Sequence, residues 1–239
     1  MSEKRWFATT HWSLVVAAGN SRNSGSQDAL ATLCRVYWPP VYSYIRCRGH
    51  DPETAQDLAQ GFFALLLEKS YLKDVDRERG KFRSFLLASV KHYLANEWDR
   101  AHALKRGGGQ VLVPLDAQDA ESRYGPEPAD RETPEKIYEK RWALTLLDNV
   151  LDRLEGEMRA SGRIERFNKF RPYLTSEGGD ESYKDLADEL GMSESAIKVS
   201  IHRMRRRFGA LLREEVAQTV TDPAKVDDEI RHLFAVMDA

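Results

Sequence analysis

The chain has 239 residues, 41% of them hydrophobic and 31% charged, with a formal net charge of −2 and a mean hydropathy of −0.58. That is the composition of a soluble globular protein, long enough for two small domains that each bury a core. No apolar run approaches membrane-spanning length, the N-terminus lacks the pattern of an export signal, and two cysteines, Cys34 and Cys47, exclude a disulfide framework, so a cytoplasmic protein without a membrane partner is expected.

The small net charge hides strong local asymmetry. Residues 77–106 hold eight Lys/Arg against three Asp/Glu, residues 114–139 hold eight acids against three bases, and the tail after residue 213 is acidic again. Alternating basic and acidic segments suggest two DNA-contacting modules separated by a stretch that avoids DNA.

In chain order, residues 11–18 can form a short helix and residues 19–26, rich in Gly, Ser and Asn, a loop. A helix beginning near Gln27 carries Ala29, Leu30, Leu33 and Tyr37, then resumes with Val41, Tyr44 and Ile45; Pro39 and Pro40 between them predict a kink or break. Asp51 and Pro52 read as an N-cap and first-turn proline for a helix with an apolar stripe at Ala55, Leu58, Ala59, Phe62 and Leu66. Asp57, Gln60 and Phe63 are expected to stay off that stripe.

The next helix, over residues 81–106, turns Phe82, Leu86, Val90 and Tyr93 inward. Its other faces mix bases with polar and aromatic groups: Lys91, His92, Asn96, Trp98, Arg100, His102, Lys105 and Arg106. Two readings stand side by side. Either Trp98 closes the core and the charges are solvated, or the set grips an unpaired strand, with bases neutralising phosphate, Asn96 reading a base edge and Trp98 stacking on a base.

Gly107, Gly108 and Gly109 end this helix, and residues 110–133, acidic and containing Pro114, Pro126 and Pro128, read as an extended linker. Thr133 and Pro134 form a capping pair for a long amphipathic helix with Ile137, Trp142, Leu146, Val150 and Leu154. Ile164, Phe167, Phe170 and Leu174 mark a further helix.

Residues 182–212 describe a helix-turn-helix. Leu186, small Ala187 and Leu190 mark the first helix; Gly191 supplies a turn with positive φ; Ser193 caps the second helix and Glu194 complements its dipole. In that second helix Ile197, Ile201, Met204, Phe208 and Leu211 face the core. Ser195, Lys198, Val199, His202, Arg203, Arg205 and Arg206 lie outward or flank the stripe, with no acid between residues 195 and 213, as a polyanion-binding helix requires. A last helix, over residues 222–237, has Val226, Ile230, Leu233, Phe234 and Met237 on one side. It either caps the second domain or acts as an arm that masks the recognition helix.

No strand pattern appears, so an all-α fold of two small helical domains is expected. Cys34, Cys47, His50, His92 and His102 have no metal-ligand spacing, and the glycine run lacks the Lys-Ser/Thr of a phosphate loop. No metal, cofactor or catalytic residue is expected.

These features together resemble the bacterial RNA polymerase sigma factors of the extracytoplasmic-function (ECF) type. The stretch AQDLAQGFF is similar to the family's core-binding motif, which implies polymerase contacts from Asp57, Gln60 and Phe63. The block FRSFLLASVKHYLANEWDRAHALKRGGG resembles its promoter-melting segment, which implies strand contacts from Lys91, His92, Asn96, Trp98, Arg100, Lys105 and Arg106. ESAIKVSIHRMRRRF resembles its recognition helix for the upstream promoter element. FATTHWSLV, the YW at Tyr37 and KRGGG resemble a subgroup common in planctomycetes, which carries an extended C-terminus. The sequence departs from the family at Val90, Lys91 and His92, where Ala-Arg-Asn is usual, and at Ser200, where arginine is frequent.

The resemblance implies a region-2-like domain over residues 1–109, an acidic linker over 110–133 threading near the polymerase's RNA path, a region-4-like domain over 134–219, and a C-terminal extension over 220–239. Core RNA polymerase and promoter DNA are the implied partners, with an anti-sigma protein or a kinase as the class of regulator. The rival reading is a stand-alone helix-turn-helix regulator that binds a palindrome as a dimer.

Overall fold

A computed structural model describes residues 25–68, 81–103, 132–174, 183–220 and 222–238. They form eight α-helices and two 3-10 turns, with no strand among the described residues. The helices are α1 (Gly25–Cys47), α2 (Pro52–Glu68), α3 (Phe82–Ala103), α4 (Pro134–Ala160), α5 (Ile164–Phe170), α6 (Tyr183–Leu190), α7 (Glu194–Ala217) and α8 (Val226–Met237). The expected helix at 11–18, the glycine run at 107–109 and nearly all of the linker lie outside the described residues.

The helix starts are fixed locally. Asp51 accepts hydrogen bonds from the Thr54 backbone N–H (3.0 Å) and hydroxyl (2.7 Å), capping α2. Those bonds hold the Asp51 carboxyl below the usual carboxylate range. Thr133 Oγ1 accepts from Lys136 N at α4, and Ser193 Oγ accepts from Ala196 N at α7. Between α6 and α7, Gly191 takes φ +60° and Met192 N–H donates to Ala187 C=O at 2.9 Å, the closing bond of a left-handed helix end.

Two compact units emerge: residues up to Thr145 together with Val216 onward, and Leu146–Glu215. Helix α4 contributes to both. In the first unit α1 packs on α2 through the stacked pair Trp38–Phe63 (5.6 Å), α2 on α3 through Phe62–Tyr93 (5.7 Å), and α1 meets the start of α3 through the edge-on pair Tyr37–Phe82 (5.1 Å). Phe82, Leu86, Val90 and Tyr93 are all buried, as the periodicity of α3 predicts. Tyr93 lies so close to α2 that a Cβ on Gly61 would meet its hydroxyl oxygen at 2.3 Å. Gly61→Ala is therefore expected to destabilise the protein by about 1–3 kcal/mol through overpacking, read as a lowered Tm in thermal denaturation.

Three expectations are corrected here. Helix α1 is not broken at Pro39 and Pro40; it runs through both, because Val36 and Tyr37 before them and Val41, Tyr44 and Ile45 after them are buried and hold the two halves in one packed helix. Gln60 and Phe63 are not off the buried stripe of α2; they are 7% and 3% exposed, because α2 packs on α1 and α3 and buries a wide arc, whereas Leu58 is half-buried. On α8 Phe234 is 47% exposed, and the buried set is Val226, Glu229 and Leu233.

In the second unit Leu146, Val150 and Leu154 of α4, Phe167 and Phe170 of α5, Leu186 and Ala187 of α6, and Ile197, Ile201, Met204 and Leu211 of α7 are buried, so the predicted stripes form the core. The exposed ends are tied by charge: Arg207 donates to both carboxylate oxygens of Glu157, and Arg153 pairs with Glu214 and Glu215.

Candidate nucleic-acid interface

Helix α7 turns 100° per residue, which puts Ser195, Val199, His202 and Arg206 on one line opposite the buried Ile197–Ile201–Met204 stripe, flanked by Lys198 and Arg203. All six are exposed. His202, Arg203 and Arg206 have no ion-pair partner among the described residues, and Val199 is 46% exposed, an apolar group at the centre of a polar face.

The neighbouring cations are engaged. Lys198 Nζ lies 5.4 Å from the Tyr183 ring centroid, and Arg205 Nε donates to Tyr173 C=O at 2.7 Å. Arg205 thus ties α7 to the 3-10 turn Arg171–Tyr173. Arg207, just beyond the predicted set, is turned back onto Glu157; its pKa is raised and that of Glu157 lowered by their shared hydrogen bonds. Ser200, where the family often has arginine, is half-buried and its hydroxyl donates to Ala196 C=O at 2.7 Å.

On α3, the two readings of Trp98 separate: it is 62% exposed and does not close the core. His92, Asn96 and Arg100 are also exposed. Arg100 pairs with Glu97 one turn away at 2.6 Å, and Lys91 with Glu135 of α4 at 2.7 Å. The Glu135 hydrogen bond raises the Lys91 pKa and lowers that of Glu135, so both are charged at neutral pH. Both side chains are more than two-fifths exposed, and such pairs are worth about 0–1 kcal/mol, little enough for a phosphate to displace. Lys105 and Arg106 lie outside the described residues, as does the His102 side chain.

The family model for ECF sigma factors matches residues 22–214, a span that includes all of α3 and all but the last three residues of α7. The chain belongs to the ECF sigma factors. No curated protein and no solved structure matched it. This ECF sigma factor directs RNA polymerase to promoters, and its family consists of DNA-binding regulators.

Of the three residues expected to meet core polymerase, only Asp57 is exposed; Gln60 and Phe63 are buried, Phe63 against Trp38 and Phe62. In the sigma factor Phe63 therefore serves the α1–α2 packing, and Gln60 is buried beside it. Among the described residues no three of His, Cys, Asp and Glu converge on a metal-sized site. Burial pushes the Cys34 thiol up to about 11, so it stays protonated. No described helix is long and apolar enough to cross a membrane.

Proposed function

We propose a division of labour within this ECF sigma factor. Helix α7 docks in the major groove of the upstream promoter element, where His202, Arg203 and Arg206 divide base reading from phosphate anchoring and Val199 meets an apolar base edge. The second half of α3, with Lys91, His92, Asn96, Trp98 and Arg100, continued by Lys105 and Arg106, holds the opened strand; each stacked base contributes about 1–3 kcal/mol towards the cost of unpairing. Asp57 meets core polymerase from the exposed side of α2, backed by Gln60 and Phe63. Residues 1–109 and 134–219 act as the two promoter-facing modules, joined by the acidic linker 110–133 and followed by the extension 220–239.

One observation carries this reading: the outward face of α7 has no acid and presents His202, Arg203 and Arg206 with no ion-pair partner among the described residues, whereas Arg205 and Arg207 on its flanks are tied back. Catalysis stays with the polymerase, and no cofactor is assigned to this chain. The compartment is the cytoplasm, where polymerase and promoter are, and an anti-sigma protein or a kinase is the fitting regulator. The C-terminal extension supports placement in the planctomycete-like subgroup.

Because both modules act on polymerase, the free protein should bind promoter DNA only weakly; nanomolar promoter-specific binding in a mobility-shift titration without polymerase would contradict this. Val199→Ala is expected to relax preference at a single base pair, by up to about 1–3 kcal/mol, with the salt dependence of binding unchanged because no phosphate contact is lost. Initiation from promoters randomised in the upstream element reads this directly; relaxed preference at every position would assign Val199 a merely structural role.

A further inference from the structure

Helix α8 lies wholly beyond the family match, which ends at residue 214, yet it belongs to the same compact unit as α3. Between its buried Val226 and Leu233 it carries Glu229, 2% exposed. Carboxylates are seldom buried unless paired, and a buried ion pair adds little net stability over an apolar pair of the same volume, so the pair at this position specifies geometry more than it adds stability.

Its partner is Arg83, in the first turn of α3 and 3% exposed. Glu229 accepts from Arg83 Nη1 through one oxygen and from Lys81 Nζ through the other. The same guanidinium is held from a third helix. Glu139 Oε2 of α4 lies 2.8 Å from Arg83 Nε, the Trp142 ring sits beneath it at 4.1 Å, and the Tyr138 hydroxyl donates to the Arg83 C=O at 3.0 Å. His232 of α8 reaches the same Glu139 oxygen at 3.5 Å. Groups from α4 and α8 thus converge on one turn of α3, and α8 supplies the only carboxylate bonded to both Lys81 and Arg83 among the described residues.

From that turn α3 runs on without proline or glycine to Ala103. Asn96 lies thirteen residues further along, about 20 Å at the helical rise, so a tilt of about 10° at Arg83 would move Asn96 by about 3 Å. Contacts to a strand do not tolerate displacement on that scale. We infer that Glu229 is a positioning residue for promoter opening: through Arg83 and Lys81, the C-terminal helix sets the direction in which α3 presents its strand-binding face. This rests on the assignment of that face to the opened strand.

The test compares initiation by the full-length protein with core polymerase on two templates, a fully paired promoter and the same promoter with its melted segment pre-opened by mismatches. Glu229→Gln keeps the side chain's shape and removes its charge. It should lower initiation on the paired template by about tenfold, leave the pre-opened template within about twofold, and leave co-elution with core unchanged. Glu229→Asp should recover part of the loss. A chain ended after Val220, in which Arg83 is solvated and not stranded, should show the same template selectivity. Equal losses on both templates, or no loss on the paired one, would overturn the inference. Asn96→Ala separates the two levels: if it too shows no template selectivity, the assignment of α3 falls, whereas selectivity for Asn96→Ala without it for Glu229→Gln removes only the positioning role.

Discussion

Replacing Arg203 and Arg206 together by alanine is expected to lower promoter-specific initiation by roughly 30-fold or more while leaving thermal stability unchanged. Each removes an exposed guanidinium that makes no ion pair among the described residues, so nothing in the fold depends on it. Each such contact to a base edge or phosphate is worth about 1–3 kcal/mol, and two residues on one docking face act together. Arg205→Ala and Arg207→Ala are the contrasting cases, because Arg205 holds the Tyr173 carbonyl and Arg207 holds Glu157. Run-off transcription beside thermal melts separates the groups: the first pair should move activity, the second mainly stability. Equal activity losses from both pairs would show that α7 does not present the face described.

Glu229→Ala is expected to destabilise the protein by about 3–5 kcal/mol. It strands Arg83, a guanidinium 3% exposed, leaving it the Glu139 carboxylate and the Trp142 ring. Replacing both partners, Arg83→Met with Glu229→Leu, should recover much of that loss, since an apolar pair of similar volume leaves no buried charge. The pair also predicts a pH dependence. Burial alone would raise the Glu229 carboxyl, but the hydrogen bond and charge of Arg83, joined by Lys81, carry it below its usual value. A carboxyl depressed in the folded state stabilises the protein above its unfolded pKa of about 4.3, and that contribution is lost as pH falls through the lower folded value. Urea titrations between neutral pH and pH 3 should therefore show a steeper acid loss for the wild type than for the Arg83→Met/Glu229→Leu protein; parallel curves would mean that the pair is not formed.

What could be read from the sequence was local. Asp51, Thr133, Gly191 and Ser193 act within three to five residues of themselves, and each does what its residue type and position predict. The stripes of α3, α4 and α7 also emerged, because a helix that packs on one side repeats its apolar residues every three or four positions. The failures concern packing from several directions. Helix α2 has neighbours at both flanks, so its buried arc is wider than the spacing of Ala55, Ala59, Phe62 and Leu66 suggests and takes in Gln60 and Phe63. Arg83 and Glu229 are 146 residues apart, and nothing near either one marks a buried pair. Phe234 reads as core from its spacing, but it is exposed and Glu229 is buried, because the partner of α8 is a charged helix end. For the same reason the C-terminal helix, read as a cap on the second domain or a mask for the recognition helix, contributes to the first unit.

The division of labour is tested most directly by reconstituting the purified protein with core RNA polymerase, followed by co-elution and transcription from promoter DNA of the source genome. Stable co-elution weakened by Asp57→Ala is expected, with initiation at a defined promoter set that is lost with Arg203→Ala/Arg206→Ala while co-elution persists. Failure to associate with core, together with retained binding of a symmetric DNA site as a dimer, would contradict the proposed mechanism.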